Sequence, residues 1–288
     1  PSKALLNSRY LIIGLIAQGG MSALYQALDT RAQNMKCVIK EMSYMHLSAQ
    51  VHDQLRDNFR REFEILYSAA HSNLPRVFDF FEAQNRPYIV MELIEGSTLE
   101  SLWSNRASMF LPQDRVLAWA RQLCDVLDYL HSQNPPIIYR DLKPSNVMEI
   151  NGTTNIKLID FGIARFHKPG KQGDTLRFGT DGYLAPEIAG SMSQTSARTD
   201  MYALGVMIHQ LLTNYDIFST PFQFPKASSL NPSISSEVEK AIEKAVQVKP
   251  DLRIQTAEEM LQALFGAKEK IGWRLTTATM PPPAPPPL

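Results

Sequence analysis

The pattern of hydrophobic and polar positions divides the chain into a strand-rich beginning and a helix-rich remainder. In the first part, short stretches of β-branched and aromatic residues are separated by turn signals such as Gly19, and these predict strands. The predicted strands cover residues 10–16, 23–28, 35–40, 77–81 and 88–93. Among them, residues 59–70 carry apolar side chains at helical spacing and predict one helix.

Amphipathic helices dominate from residue 99 onward. Pro112 is placed to open one of them, because proline is tolerated in the first turn of a helix. Its apolar stripe contains Val116, Trp119, Leu123, Val126 and Leu130. The stripe of a second helix contains Met201, Leu204, Ile208 and Leu211. Two more helices are predicted over residues 238–246 and 257–264. We therefore expect a small β-rich unit, a larger helical unit, and a ligand cleft between them.

Composition and charge exclude several classes of protein. The 288 residues include 29 basic and 29 acidic side chains, so the chain has no basic excess with which to bind nucleic acid. Cys37 and Cys124 lack the spacing of a zinc site or a disulfide framework, and they suit a reducing, cytoplasmic location. The longest apolar run, residues 11–17, is far shorter than the roughly 18 residues of a membrane span. No membrane contact is expected of this segment.

Proline is concentrated at the C-terminus, where the last eight residues contain six of the 19 prolines. Such a composition is typical of an extended linker that cannot bury a core. The chain also begins with Pro1 rather than methionine. Together these features predict a part of a longer protein, whose other domains, or a membrane anchor, lie beyond the tail.

The strongest chemical signal lies in residues 139–146, which read Tyr-Arg-Asp-Leu-Lys-Pro-Ser-Asn. A second acid, Asp160, follows an apolar strand and precedes Phe161 and a glycine. Carboxylate and amide oxygens converging from two loops can bind a hard cation such as Mg²⁺. The remaining acid can orient a hydroxyl group and take its proton. Phosphoryl transfer needs little beyond such positioning and charge neutralisation.

On these motifs the chain resembles the eukaryotic-like (Hanks-type) serine/threonine protein kinases, and in its compact form it resembles their bacterial branch. The resemblance implies an α+β, two-lobed fold, with an antiparallel sheet and one main helix in the N-lobe and a mostly helical C-lobe. It divides the chain into an N-lobe at 1–94, a C-lobe at 95–268 and a proline-rich tail at 269–288. It further implies ATP and Mg²⁺ as cofactors, Mn²⁺ as an alternative metal, and protein Ser and Thr hydroxyls as substrates.

The resemblance assigns the chemistry of the C-lobe to a few side chains. Asp141 becomes the catalytic base, and Lys143 neutralises the γ-phosphate during transfer. Asn146 and Asp160 become the ligands of the magnesium ions. Thr180 beside Lys143 is the family's mark of serine/threonine specificity.

The resemblance places the ATP-binding residues in the N-lobe. Lys40 becomes the ligand of the α- and β-phosphates and pairs with Glu62, for which Glu64 is the less favoured alternative. The glycine-rich loop is incomplete, because Ala17 and Ser22 stand where the family has glycines. Backbone N–H groups of Gly19, Gly20 and Ser22 are expected to face phosphate oxygens. The adenine is expected to contact Leu24, Val38, Met91 and Met148, and to hydrogen-bond the backbone of Glu92, Leu93 and Ile94.

Three structural roles follow from the same resemblance. Tyr139 replaces the family's usual histidine and is expected to pack beneath Phe161, with its hydroxyl hydrogen-bonded. Glu187 is expected to pair with Arg253. Asp200 is expected to hold the backbone of the catalytic loop, to cap its own helix, or both.

Regulation by phosphorylation is also expected. Arg140 and Arg165 are placed to clamp a phosphothreonine through charge-assisted hydrogen bonds. Thr175 is the best-placed acceptor, so the resemblance predicts autophosphorylation on the segment between Asp160 and Glu187.

Two alternatives stay open at this point. A nucleotide-binding pseudokinase or scaffold is prompted by three departures from the family pattern, at Ala17, Ser22 and Tyr139. The residues required for transfer are nevertheless all present, namely Lys40, Glu62, Asp141, Asn146 and Asp160. A small-molecule kinase of related fold is disfavoured by the segment 179–187, which together with Arg253 suits a protein-substrate platform.

Overall fold

The computed structural model describes residues 5–19, 22–42, 49–104, 110–162, 164–166, 180–190, 195–272 and 274, without the side chains of 49–55, 165, 166 and 190. These residues form two units, of which the first extends to Glu95 and the second begins at Gly96. Within the described ranges, no helix combines the length and the apolar character needed to cross a membrane.

The first unit is an antiparallel sheet with one helix. Its elements are β1 (Leu5–Leu6), β2 (Tyr10–Gln18), β3 (Ser22–Asp29), β4 (Met35–Met42), α1 (Ala49–Ser68), β5 (Val77–Ala83) and β6 (Arg86–Glu92). The strand order is β1-β2-β3-β4-β6-β5, and every neighbouring pair is antiparallel. The predicted sheet with one main helix is confirmed.

Alternation along β4 gives the sheet two different faces. Cys37 and Ile39 are buried on one face in a cluster with Tyr10 and Val90. Successive side chains of a strand point to opposite faces, so Val38 and Lys40 lie on the other. Helix α1 begins ten residues before the predicted start at residue 59. Residues 49–58 are mostly polar, so apolar spacing provided no signal there.

The second unit is mostly helical. Its helices are α2 (Leu99–Ser104), α3 (Gln113–His131), α4 (Pro186–Gly190), α5 (Ala197–Thr213), α6 (Ala227–Leu230), α7 (Ser236–Ala245) and α8 (Ala257–Phe265). Its short strands are β7 (Gly96–Thr98), β8 (Ile137–Ile138), β9 (Val147–Ile150), β10 (Ile156–Leu158) and β11 (Arg165–Phe166). Strands β10, β9 and β7 form one small sheet, and β11 pairs with β8.

Helix α5 lies at the centre of this unit. All its residues from Thr199 to Thr213 are buried, although the sequence predicted only one apolar stripe. Helix α7 packs against it closely, because a Cβ at Gly205 would lie 2.6 Å from the Cβ of Ala245. Such an approach requires glycine at this position.

Candidate active site

Short strands of the second unit hold the loops that carry the chemistry. Strands β9 and β10 pair with Val147 opposite Leu158, and the Ile159 amide donates to the Asn146 carbonyl at 2.9 Å. This pairing brings Asn146, just before β9, next to the segment that leads into Asp160. The two side chains expected to bind a cation therefore belong to neighbouring ends of one hairpin.

Asp141 is held by three neighbouring side chains. Asn146 Nδ2 donates to Asp141 Oδ2 at 2.8 Å and to the Asp141 carbonyl at 2.9 Å. Thr180 Oγ1 donates to Asp141 Oδ1 at 2.7 Å. Lys143 Nζ lies 2.9 Å from Asp141 Oδ2 and donates to Thr180 Oγ1 at 2.7 Å. Both carboxylate oxygens are thus oriented by hydrogen bonds, and a cation lies beside them.

The buried side chain of Asp200 binds the backbone at the start of the loop that carries Asp141. Its Oδ2 accepts from the Tyr139 amide at 2.9 Å, and its Oδ1 accepts from the Arg140 amide at 2.8 Å. Arg140 has a left-handed backbone with φ of 76°. A left-handed backbone costs a non-glycine residue about 1–3 kcal/mol. The two amide hydrogen bonds to the fully buried Asp200 carboxylate stabilise this backbone.

The expectation that Asp200 also caps α5 was wrong. Ser196 occupies the N-cap, where the Thr199 hydroxyl accepts from the Ser196 amide at 3.2 Å, and Asp200 lies in the first turn. Its carboxylate instead binds the amides of Tyr139 and Arg140 and the ring of His131, whose Nε2 lies 2.8 Å from Oδ2. No local spacing signals this pairing, because the two residues are far apart in the chain.

Tyr139 packs edge-on against Phe161, with ring centroids 5.0 Å apart, and both rings are fully buried. Its hydroxyl donates to the Ile159 carbonyl. Burial raises the pKa of Tyr139 well above its usual value, and the negative charges of Asp160 and Asp141 raise it further. The phenol therefore stays protonated at neutral pH, which suits a packing role rather than proton transfer.

A buried ion pair fixes the segment that follows Thr180. Arg253 donates to both oxygens of Glu187, at 2.9 and 2.6 Å, and to the carbonyls of Gln247 and Val248. Its guanidinium carbon lies 4.8 Å from the ring centroid of Tyr202. Only 1% of Arg253 is exposed. This pair connects α4, which begins at Pro186, to α5 and to the residues after α7.

In the first unit, Lys40 Nζ donates to both oxygens of Glu62, at 2.7 and 2.8 Å, and both residues are buried. The alternative partner, Glu64, instead accepts from Arg60 at the surface.

Strand register places the residues expected around the adenine on one face of the sheet. Leu24 lies opposite Lys40 and Ala17, and Val38 lies opposite Met91. Cross-strand partners share a face, and alternation puts Val38 on the same face as Lys40. The Met148 side chain, on β9 of the second unit, is half-buried.

Two backbone N–H groups of residues expected near the nucleotide are already bonded within the protein. The Gly19 amide donates to the Ser22 carbonyl at 2.8 Å and closes the β2–β3 turn, so it does not act as the phosphate donor expected of it. The Glu92 amide donates to the Arg76 carbonyl at 2.8 Å, so this N–H is bonded to the residue that precedes β5. Ile94 is half-buried in the segment that follows β6.

Some of the predicted site residues lie outside the described residues. These are Gly20 and Thr175, together with the side chain of Arg165. The backbone of Arg165 pairs with Ile138, two residues before Arg140. Arg140 itself is buried.

Asn146 and Asp160 fit a hard cation. The amide nitrogen of Asn146 donates to Asp141, so its Oδ1 is the atom that can ligate a metal. In the described ranges, no cluster of three or more His, Cys, Asp or Glu side chains could hold a metal ion. Magnesium is typically bound by one or two carboxylates together with substrate phosphates and water, rather than by an all-protein cage.

Comparisons with known proteins agree with this geometry. A family model described as the protein kinase domain matches residues 10–265. A probable serine/threonine-protein kinase of Streptomyces coelicolor is 32% identical over 88% of this chain and 39% of its own length. Serine/threonine-protein kinase PknB of Mycobacterium tuberculosis is 32% identical over 88% of this chain and 42% of its own length.

A solved structure has the same fold. The crystal structure of the Mycobacterium tuberculosis PknI kinase domain superposes with a TM-score of 0.71 at 24% identity, covering 92% of this chain and 98% of that one. The chain thus spans nearly the whole of that domain, whereas it spans less than half the length of the curated relatives.

Proposed function

The chain belongs to the protein kinase domain family, and from that membership we propose that it transfers the γ-phosphate of Mg-ATP to Ser and Thr hydroxyls of proteins. The observation that carries the proposal is the Asp141 carboxylate, oriented by Asn146 and Thr180 with the Lys143 ammonium beside it. This is the arrangement that phosphoryl transfer to a hydroxyl requires.

Each residue has a definite part in the proposed reaction. Asp141 accepts a hydrogen bond from the substrate hydroxyl and takes its proton as the new O–P bond forms and the bond to ADP breaks. The Lys143 ammonium offsets the negative charge on the transferred group. Asn146 and Asp160 would hold Mg²⁺, or Mn²⁺ in its place. When bound, Mg-ATP supplies the activated phosphoryl group.

Lys40 would orient the α- and β-phosphates, and Glu62 fixes its ammonium for that purpose. Leu24, Val38 and Met91 would contact the adenine, because they share the face of the sheet that carries Lys40. Met148 and the Glu92 and Ile94 backbone would complete this contact.

Replacing Lys40 by methionine is expected to lower incorporation of labelled phosphate from Mg-ATP into a generic basic protein by about 100-fold or more. Lys36→Met is the matched control, because Lys36 lies on the same strand but forms an exposed pair with Glu95. Removal of Lys40 leaves the buried Glu62 carboxylate without its cation, so thermal unfolding must show that the variant is folded. Glu62→Gln tests the same pair independently. Folded variants of Lys40 and Glu62 as active as the Lys36 control would contradict the assignment.

We propose further that the kinase phosphorylates itself at Thr175, with Arg140 and Arg165 binding the phosphate. Thr175→Ala is then expected to lower the transfer rate about tenfold or more, because ordering of the segment is lost. Phosphatase treatment of the parent protein should have a similar effect, and intact-mass measurement should show a phosphate on the parent but not on the variant. Full activity of both dephosphorylated parent and variant would exclude this regulation.

The cellular setting is proposed on composition. Zero net charge disfavours nucleic-acid partners, and two buried free cysteines suit a cytoplasmic location. Residues 1–94 and 95–268 would act as the two lobes. The proline-rich end of residues 269–288 would be a linker, whereas Ile271 is buried and Arg274 donates to both oxygens of Asp128 on α3.

A further inference from the structure

A cavity of about 450 Å³ in the second unit lies beside Asp141. Lys143 and Thr180 form part of its wall, and both contact the Asp141 carboxylate, at 2.9 and 2.7 Å. A protein segment whose hydroxyl is bound at Asp141 would therefore place a neighbouring side chain at this cavity. The other residues that line it decide which side chain fits.

The cavity has an excess of negative charge. Glu100 on α2 and Asp216 after α5 both line it, and both are exposed. In the part of the chain that the structure describes, neither carboxylate forms an ion pair. Among the described residues that line the cavity, Lys143 is the one basic residue, and its ammonium already contacts Asp141 and Thr180. Two carboxylates are therefore available to a cation entering from solvent.

Glu100 and Asp216 each interact with another residue that lines the cavity. Burial raises the pKa of the Tyr183 hydroxyl, and the negative charge of Glu100 raises it further, which places Glu100 within electrostatic reach of this lining residue. Asp216 Oδ1 accepts from the Phe218 amide at 3.0 Å. The carboxylate at Asp216 is thereby oriented by its own loop.

Aromatic rings complete the wall. The indole of Trp103 is fixed by a 2.7 Å hydrogen bond from its Nε1 to Asn214 Oδ1. The Phe218 ring is 56% exposed, although it lines the same cavity. Its loop packs tightly on Gly182, where a Cβ would lie 2.9 Å from Phe218. Fixed aromatic faces bind flat cations by cation–π contact, and arginine more often than lysine.

We propose that this cavity binds an arginine side chain of the protein substrate, with Glu100 and Asp216 as the specificity-determining residues. The inference rests on the proposed kinase function, because it places the substrate hydroxyl at Asp141. Arginine fits better than lysine, because its planar guanidinium can stack on Trp103 or Phe218 while its N–H groups pair with carboxylates. The domain would therefore favour basic substrates.

Peptides with one serine, and with Arg, Lys, Ala or Glu at each neighbouring position in turn, test this directly. At one position, arginine should raise kcat/KM at least tenfold over alanine, which corresponds to about 1.4 kcal/mol. In the Glu100→Gln/Asp216→Asn double variant the ratio should fall toward one. Glu237→Gln, an exposed acid on α7, should keep the wild-type ratio. An equal response to arginine and alanine at every position would overturn the proposal, as would a double variant that keeps the preference.

A charge swap separates recognition from a merely structural effect. Glu100→Arg should favour the peptide with glutamate at the position where the parent favours arginine. If the swap variant kept the arginine preference, Glu100 would not be a specificity residue.

Binding measured without transfer distinguishes failure of this proposal from failure of the kinase function. Fluorescence anisotropy is measured with labelled peptides in which alanine replaces the acceptor serine. Tighter binding of the arginine peptide, lost in the double variant, would support the cavity even if no phosphate were transferred. Transfer without any dependence of binding on arginine would retain the kinase function and overturn this inference.

Discussion

Replacing Asp141 by asparagine is expected to lower kcat for phosphate transfer by at least about 100-fold, because a general base contributes on the order of 10²–10⁴. Asparagine has the same shape as aspartate, and it can keep hydrogen bonds to Asn146 and Thr180 after reorientation. It cannot accept the proton of the substrate hydroxyl at neutral pH. The loss should therefore fall on kcat, and ATP binding by calorimetry should change little.

Asp114→Asn is the control for this measurement. Asp114 is an exposed acid in the first turn of α3, away from the loop that carries Asp141. Equal unfolding temperatures of the two variants would show that any difference in kcat is chemical. If Asp141→Asn transferred phosphate as fast as Asp114→Asn, Asp141 would not be the base.

Replacing Arg253 by methionine is expected to lower the free energy of unfolding by about 3–5 kcal/mol, because it leaves the largely buried carboxylate of Glu187 unpaired. The change also removes hydrogen bonds to the carbonyls of Gln247 and Val248 and the stacking on Tyr202. Urea unfolding of the parent and variant measures the difference.

An exposed ion pair provides the matched comparison. Lys244 pairs with Glu259 at the surface, and Lys244→Met should change stability by about 1 kcal/mol or less. A double variant, Arg253→Met with Glu187→Leu, should recover part of the lost stability, since no charge is then buried alone. If Arg253→Met cost no more than Lys244→Met, the pair would not be the structural tie that its burial indicates.

The sequence predicted those parts of the protein that are specified within a single short stretch of residues. The long strands and helices have clear apolar periods, and residues 139–146 carry their chemistry in one contiguous stretch. Strands β7 to β9 were not predicted individually, since two to four residues are too few to show an alternation. They nevertheless align Asn146 with the segment leading to Asp160.

Pairings between distant residues needed more than local pattern. Lys40 with Glu62 and Glu187 with Arg253 were expected only because the chain resembles a known family. His131 with Asp200 was not expected, and neither were Glu100 and Asp216 on one cavity, because these residues come together only through the fold. Helix α5 also has a contact with a distant residue that its own sequence pattern does not show. Its polar residue His209 is buried and satisfied by the Pro225 carbonyl, which an amphipathic pattern cannot reveal.

The central claim is that this domain moves phosphate from ATP to Ser and Thr hydroxyls. Its most direct test is mass spectrometry of three matched peptides, with Ser, Thr or Tyr as the only acceptor, after incubation with the protein, ATP and Mg²⁺. We predict one added phosphate on the Ser and Thr peptides, none on the Tyr peptide, and none when the metal is chelated. Bound nucleotide with no phosphate on any peptide would contradict it and identify a pseudokinase.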